Sequence, residues 1–207
     1  MYAPPAFAVD DPDTLAAMIA RAPLATLVAA GPDGLEAAHL PLLHDREAGL
    51  LVGHLARGNP LAAQADGAAM AVFVGPEAYV SPGFYPSKQA HGRVVPTWDY
   101  EAVHVHGRLE RFDDADTLLR LVTALTDRFE ADRPAPWSVA DAPGAYVAGL
   151  LRAIVGVRLV IERVEGVRKL SQNRDAADRA GVRAGLAASE RPVERALAPL
   201  MEIHEHD

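Results

Sequence analysis

Between Leu24 and Leu55 the chain alternates short apolar runs with turn residues: LATLVAA, GPDG, LEAAHLPLLH, DREAG, then LLVGHL. Runs this short, joined by turns of four or five residues, leave no room for a crossover helix, so successive strands must pair antiparallel. That confines the first third of the chain to a hairpin-built sheet.

The flanking segments extend this pattern. Ahead of it, Asp11-Pro12-Asp13 followed by Leu15, Met18 and Ile19 predicts a capped first helix that Pro23 closes. After it, Asn59-Pro60 starts a short helix, and MAVFV (70–74) with AYVS (78–81) predicts a fourth strand broken by Gly75-Pro76. Residues 82–97 read as a long loop of the kind that carries function. In the strand WDYEAVHVHGRLERF, Val103 and Val105 point to one face while His104 and His106 point to the other. Leu118, Leu121, Val122, Leu125 and Phe129 recur at helical spacing behind Asp114, a short helix is expected over 145–151, and VGVRLVIERVEG is a last long strand. A polar helical stretch and a helix from Pro192 follow, with the tail HEHD expected to fray. Six or seven strands with helices at their edges predict a mainly β, antiparallel barrel with peripheral helices (α+β). Residues 1–207 are expected to form one domain, with a C-terminal helical extension over about 175–207.

Composition narrows the function. Half of the 207 residues are apolar, enough for a substantial core, yet no run approaches the roughly 20 apolar residues of a membrane span. With no targeting segment apparent, a cytoplasmic location is expected and no membrane partner. The absence of cysteine excludes disulfides, thiolate metal sites and a thiol nucleophile. A net charge of −8 excludes a broad basic footprint, so any contact with promoter DNA must be local. No GxSxG elbow, P-loop or GxGxxG supports a hydrolase or nucleotide kinase, and no catalytic residue is assigned. His104 and His106 have the spacing of two metal ligands, but the sequence fixes no third ligand beside them. Hydrogen-bonded interface histidines are the expectation, and no metal.

GHLARGNP (53–60) is the candidate phosphate seat. Asn59 can cap a helix whose first residue is Pro60, and Arg57 adds a fork-shaped cation two residues earlier. The same eight residues also describe an ordinary capped turn with a solvated arginine, and both readings stand at this point.

In this order and spacing, GHLARGNP, AYVSP with FYPSK, VPTWDYEAVHVHG, and IVGVRL with KLSQNR resemble the PaiB-type FMN-binding negative transcriptional regulators, from MYAPPAF almost to the C-terminus. That resemblance implies a flavin-binding split β-barrel, related in fold to pyridoxamine-phosphate oxidases, working as a homodimeric repressor with FMN at the subunit interface. Carried over position by position, it implies that His54, Arg57 and Asn59 lie near the FMN phosphate and ribityl chain and Thr97 and Trp98 at the ring or interface. Lys169, Ser171, Gln172 and Asn173 form a second polar lip, and Lys88 is a further candidate cation for the phosphate. The chain departs from the family's pattern at Leu61-Ala62, where a polar residue and a tryptophan are common, at Phe84 for tryptophan and at Asp99 for asparagine. The same fold also supports a flavin-dependent oxidoreductase acting on a small molecule and, more distantly, a haem-handling protein.

Overall fold

The computed structural model describes residues 1–31, 34–63 and 66–201. Strand β1 (Ala8–Val9) precedes helix α1 (Pro12–Arg21), whose cap is Asp11: its carboxylate accepts the Thr14 N–H at 2.7 Å. The hairpin strands follow as β2 (Leu24–Gly31), β3 (Gly34–Pro41), β4 (Leu43–Asp45) and β5 (Leu50–Ala56). Strands β2 and β3 keep register from Leu24↔Pro41 to Gly31↔Gly34, while Pro32 and Asp33 of the expected GPDG turn lie outside the described residues. The single run expected over 35–44 is divided at Leu42: its amide donates to Pro23 O, the next rung after Leu24↔Pro41, but Pro23 has no N–H to return and the pairing with β2 ends.

Helix α2 (Pro60–Ala63) is a single turn, and β6 (Gly67–Val80) then runs without interruption through Gly75-Pro76. The expected break is absent for a local reason. Strand β6 pairs with β2 only over Ala69–Val72, so Pro76 lies beyond the stretch where β2 requires an N–H. A Cβ at Gly75 would lie 3.2 Å from that of Glu101, so glycine permits the close approach there.

The segment expected as loop carries a 3-10 turn (Pro82–Phe84) and helix α3 (Ser87–His91), each anchored by a polar side chain. Ser81 Oγ accepts the Gly83 N–H, and Asp178 accepts both the Ser87 amide and its hydroxyl. Strand β7 (Thr97–Phe112), helix α4 (Ala115–Glu130) capped by Asp114, and helix α5 (Gly144–Leu151) lead to strand β8 (Ile154–Lys169). Helices α6 (Ala176–Ala187) and α7 (Pro192–Leu197) and a 3-10 turn (Ala198–Met201) close the described chain; the tail expected to fray lies outside it.

The eight strands form one antiparallel sheet in the order β3-β2-β6-β7-β8-β5-β4, with β1 on β8. Strands β3 and β4 end the path unpaired with each other among the described residues, so the barrel is split rather than closed.

Backbone contacts divide the chain into two compact units. The first comprises residues 1–22, 73–104 and 165–207; Val80, Tyr85 and Leu170 are buried there beneath α6 and α7 with Val182, Leu186 and Leu197. The second comprises residues 23–72 and 105–164 and buries Leu27, Leu51, Val105 and Leu159 from the sheet with Leu118, Leu121 and Leu125 from α4. In it, strands β7 and β8 approach so closely at Gly107 that a Cβ would collide with the Val160 carbonyl oxygen.

Candidate functional site

In the first unit, alternation along β7 sends Asp99 and Glu101 inward, and both carboxylates are buried. Consecutive residues at the end of β8 answer them. Arg168 Nε donates to Glu101 Oε1 at 2.5 Å, with Arg21 on Oε2 at 2.8 Å. Lys169 Nζ donates to Thr97 Oγ1 at 2.6 Å, to the Trp98 carbonyl at 2.5 Å and to Asp99 Oδ1 at 3.1 Å. The Ser171 hydroxyl completes the Asp99 shell at 2.6 Å. Burial pushes the Asp99 carboxyl up from the ordinary range, against the opposing pull of Ser171 and Lys169. The negative charge added by aspartate at this position is therefore met inside the unit.

The other residues of the KLSQN lip also act locally. Gln172 accepts the Leu170 amide and donates to the Arg168 carbonyl, both at 2.6 Å, fixing the turn after β8, while Asn173 is exposed. Trp98 is exposed, donates its indole N–H to Glu77 at 3.2 Å and meets Tyr79 edge-on at 6.1 Å between centroids. Lys88 is exposed on α3. Tyr85, which sequence reasoning missed, is buried beneath Arg174, whose guanidinium lies 4.8 Å from the ring centroid. Burial pushes the phenol's pKa up, against the opposing pull of Arg174.

In the second unit, β5 delivers GHLARGNP. Asn59 Oδ1 accepts the Leu61 N–H at 2.9 Å, the cap its position predicts. A one-turn helix sums little dipole, however, so positive charge at this place comes from side chains. Arg57 is 48% exposed, as an ordinary turn arginine is, but it is also tied to the backbone. Its Nε donates to the Arg152 carbonyl at 2.9 Å and its Nη2 to the Ile154 carbonyl at 3.0 Å, leaving Nη1 3.7 Å from Asp113. Arg111 lies in the same cleft, of about 460 Å³, with Phe112, Asp113 and Val155; it donates to the Ala62 carbonyl at 2.9 Å. Arg111 also escaped the sequence reading, because in RLERF it looks like any outward strand residue. Only the fold brings the two guanidiniums together, each beside its own acid: Arg57 by Asp113 and Arg111 by Asp66, 3.8 Å away.

His54 lies on β5 opposite Gly156. Its Nδ1 is buried with no hydrogen-bond partner, and burial lowers its pKa, so the ring is held neutral.

Comparison with known proteins gives these features a family. Residues 1–163 match the family described as "Putative FMN-binding domain", and the chain belongs to it. A particular relative extends the match. The Bacillus subtilis Protease synthase and sporulation protein PAI 2 is 30% identical over 206 residues, spanning 98% of this chain and 97% of that protein, which bears out the resemblance read from the motifs. An uncharacterized Aspergillus fumigatus protein is 36% identical over 172 residues, 67% of this chain and 66% of its own length. Among solved structures, the FAD and heme binding protein of Mycobacterium smegmatis superposes with a TM-score of 0.60 at 20% identity, covering 84% of this chain and 78% of that one, a likeness of fold.

FMN is the cofactor of this family, and the donor set suits it. A phosphate dianion requires converging cations with N–H groups to donate; Arg57 and Arg111 line one cleft and would be its partners, in competition with Asp113 and Asp66. When bound, FMN supplies a redox-active isoalloxazine.

Proposed function

We propose that the protein is a homodimeric FMN-binding regulator that represses transcription, with the flavin phosphate held by Arg57 and Arg111 beside the Asn59-capped turn. The observation that carries this reading is the end-to-end similarity to a Bacillus protein named for protease synthase and sporulation rather than for a substrate. Dimerisation is supported by the exposed aromatic pair Tyr79 and Trp98 with exposed Val74 on the first unit, side chains of the kind that anchor subunit interfaces. In the first unit Lys169 already donates to Thr97 and Asp99, and Ser171 to Asp99, so a flavin contact there would replace one of these bonds. The chain carries a net charge of −8, so few DNA phosphates are neutralised. The logarithm of affinity should fall with the logarithm of salt at a slope of about −4 or flatter.

The test is a mobility shift on promoter fragments, with the protein FMN-loaded, flavin-free and flavin-reduced, alongside light scattering. A dimer whose fragment affinity changes with flavin state supports the reading. A monomer, or a protein that binds no fragment yet oxidises NAD(P)H with turnover of its FMN, overturns it in favour of the oxidoreductase.

A further inference from the structure

The sequence puts His104 and His106 on one face of a strand and fixes no third ligand beside them; the fold supplies one. Alternation along β7 buries Val103 and Val105 and leaves both imidazoles half-buried on the opposite face. Glu165 of β8 reaches the same place. One nitrogen of each ring and one oxygen of the carboxylate all lie within 4.8 Å of one another. His104 and Glu165 belong to the first unit, and His106 follows two residues along the same strand, so strand geometry alone sets its distance from His104. Glu165 Oε2 also accepts the Met1 amino group at 2.7 Å, a contact that orients the carboxylate. Neither the phosphate seat nor the ion pairs of Asp99 and Glu101 use this cluster.

We propose that His104, His106 and Glu165 bind one divalent transition-metal ion, zinc by its donor set, with a fourth position open to water. Imidazole nitrogens with a carboxylate oxygen suit late first-row divalent cations, whereas magnesium and calcium take oxygen ligands. Two histidines and a glutamate are a set that holds zinc and leaves one position free. Ligand atoms about 2.1 Å from a tetrahedral zinc stand about 3.4 Å apart, so half-buried side chains need only small rotations to close from 4.8 Å. All three residues have other contacts in the ion's absence, and the ion competes with those.

Calorimetric titration of the chelator-treated full chain with zinc chloride tests this. The parent should take up one ion per chain, and excess magnesium should leave that uptake unchanged. Glu165→Gln and His106→Ala should each weaken zinc by at least about tenfold, since even the loss of a ligand's outer partner costs that much. The tail carries two further histidines, so His204→Ala/His206→Ala is the control and should still bind one ion. If His106→Ala or Glu165→Gln does not fold, one equivalent that survives the tail change and excess magnesium still supports the site. No zinc uptake by the parent overturns the proposal. So does uptake that both Glu165→Gln and His106→Ala leave untouched, or uptake that vanishes with the tail histidines. The titration involves neither FMN nor DNA, so it can fail without the regulator reading failing.

Discussion

The Ser171 hydroxyl donates a 2.6 Å hydrogen bond to Asp99 Oδ2 from a backbone held at φ 61°, the one non-glycine residue at positive φ among those described. An L-residue in that region carries a steric cost of roughly 1–2 kcal/mol, which the buried contact offsets. Ser171→Ala keeps the cost and loses the bond, whereas Ser171→Gly loses the bond but relieves the backbone. The alanine variant should be the less stable of the two by about 1 kcal/mol in urea denaturation. A glycine variant no more stable than the alanine one would show that the backbone is not strained there.

Asp99 makes stability depend on pH in an unusual direction. Burial raises its folded pKa, so the folded state holds this proton more tightly than the unfolded chain does. Its contribution is therefore full below the ordinary carboxylate range and is lost as pH rises through the folded value. Asp99→Asn removes that loss. The stability of the variant minus that of the parent should increase as pH is raised from below about 4, and a difference that stays flat or falls would contradict the burial effect.

The two cations on Glu101 should not be equivalent. Arg168 and Glu101 are both buried, so Glu101→Gln breaks a buried ion pair and should cost about 3–5 kcal/mol. Arg21 is about one-third exposed, and Arg21→Ala should cost about 1 kcal/mol or less. Similar losses from both changes, measured by chemical denaturation, would mean that Arg168 is not the charge that matters.

Arg57 and Arg111 separate flavin binding from folding. Each alanine substitution should weaken FMN by about tenfold or more in a fluorescence titration, the effect of removing a charge-assisted contact. Arg57 also closes two hydrogen bonds to the carbonyls of Arg152 and Ile154, against one for Arg111 to Ala62. Arg57→Ala should thus lose more stability, by about 1 kcal/mol. Unchanged FMN affinity in both variants would place the phosphate elsewhere, with Lys88 the next residue to replace.

Glycines 107 and 156 form a contrast in what a methyl group meets. At Gly107 it would strike the backbone carbonyl of Val160, and at Gly156 the ring of Phe112. A backbone carbonyl in a sheet cannot retreat, whereas a side chain can change rotamer. Gly107→Ala should therefore prevent folding or cost several kcal/mol, while Gly156→Ala should stay folded at a cost of about 1–3 kcal/mol. Thermal denaturation of the two proteins makes the comparison.

Local signals carried most of the architecture. Asp11 and Asp114 cap the helices they precede, and Val103 and Val105 are buried while His104 and His106 are partly exposed, as a period of two requires. The errors arose where distant residues decide. Pro76 looked like a break because the chain alone does not show that β2 stops pairing at Val72, and Ser87 gains its helix from Asp178, 91 residues on. The candidate site was legible as motifs but not as chemistry. KLSQN reads as a polar lip, yet Lys169 and Gln172 face inward onto groups of their own unit. Arg111 carried no local mark at all, since what distinguishes it is a shared cleft with Arg57.

The family match ends at residue 163, six residues before β8 does. What lies past that point is the counter-charge of the interior: Arg168 for Glu101, Lys169 for Asp99, and Glu165 for the amino group of Met1. A chain stopped at 163 would keep both buried acids and lose the two β8 cations that answer them. It would have to take up protons or open to water. Electroneutrality therefore calls for the chain at least through Lys169, six residues past the end of the family match.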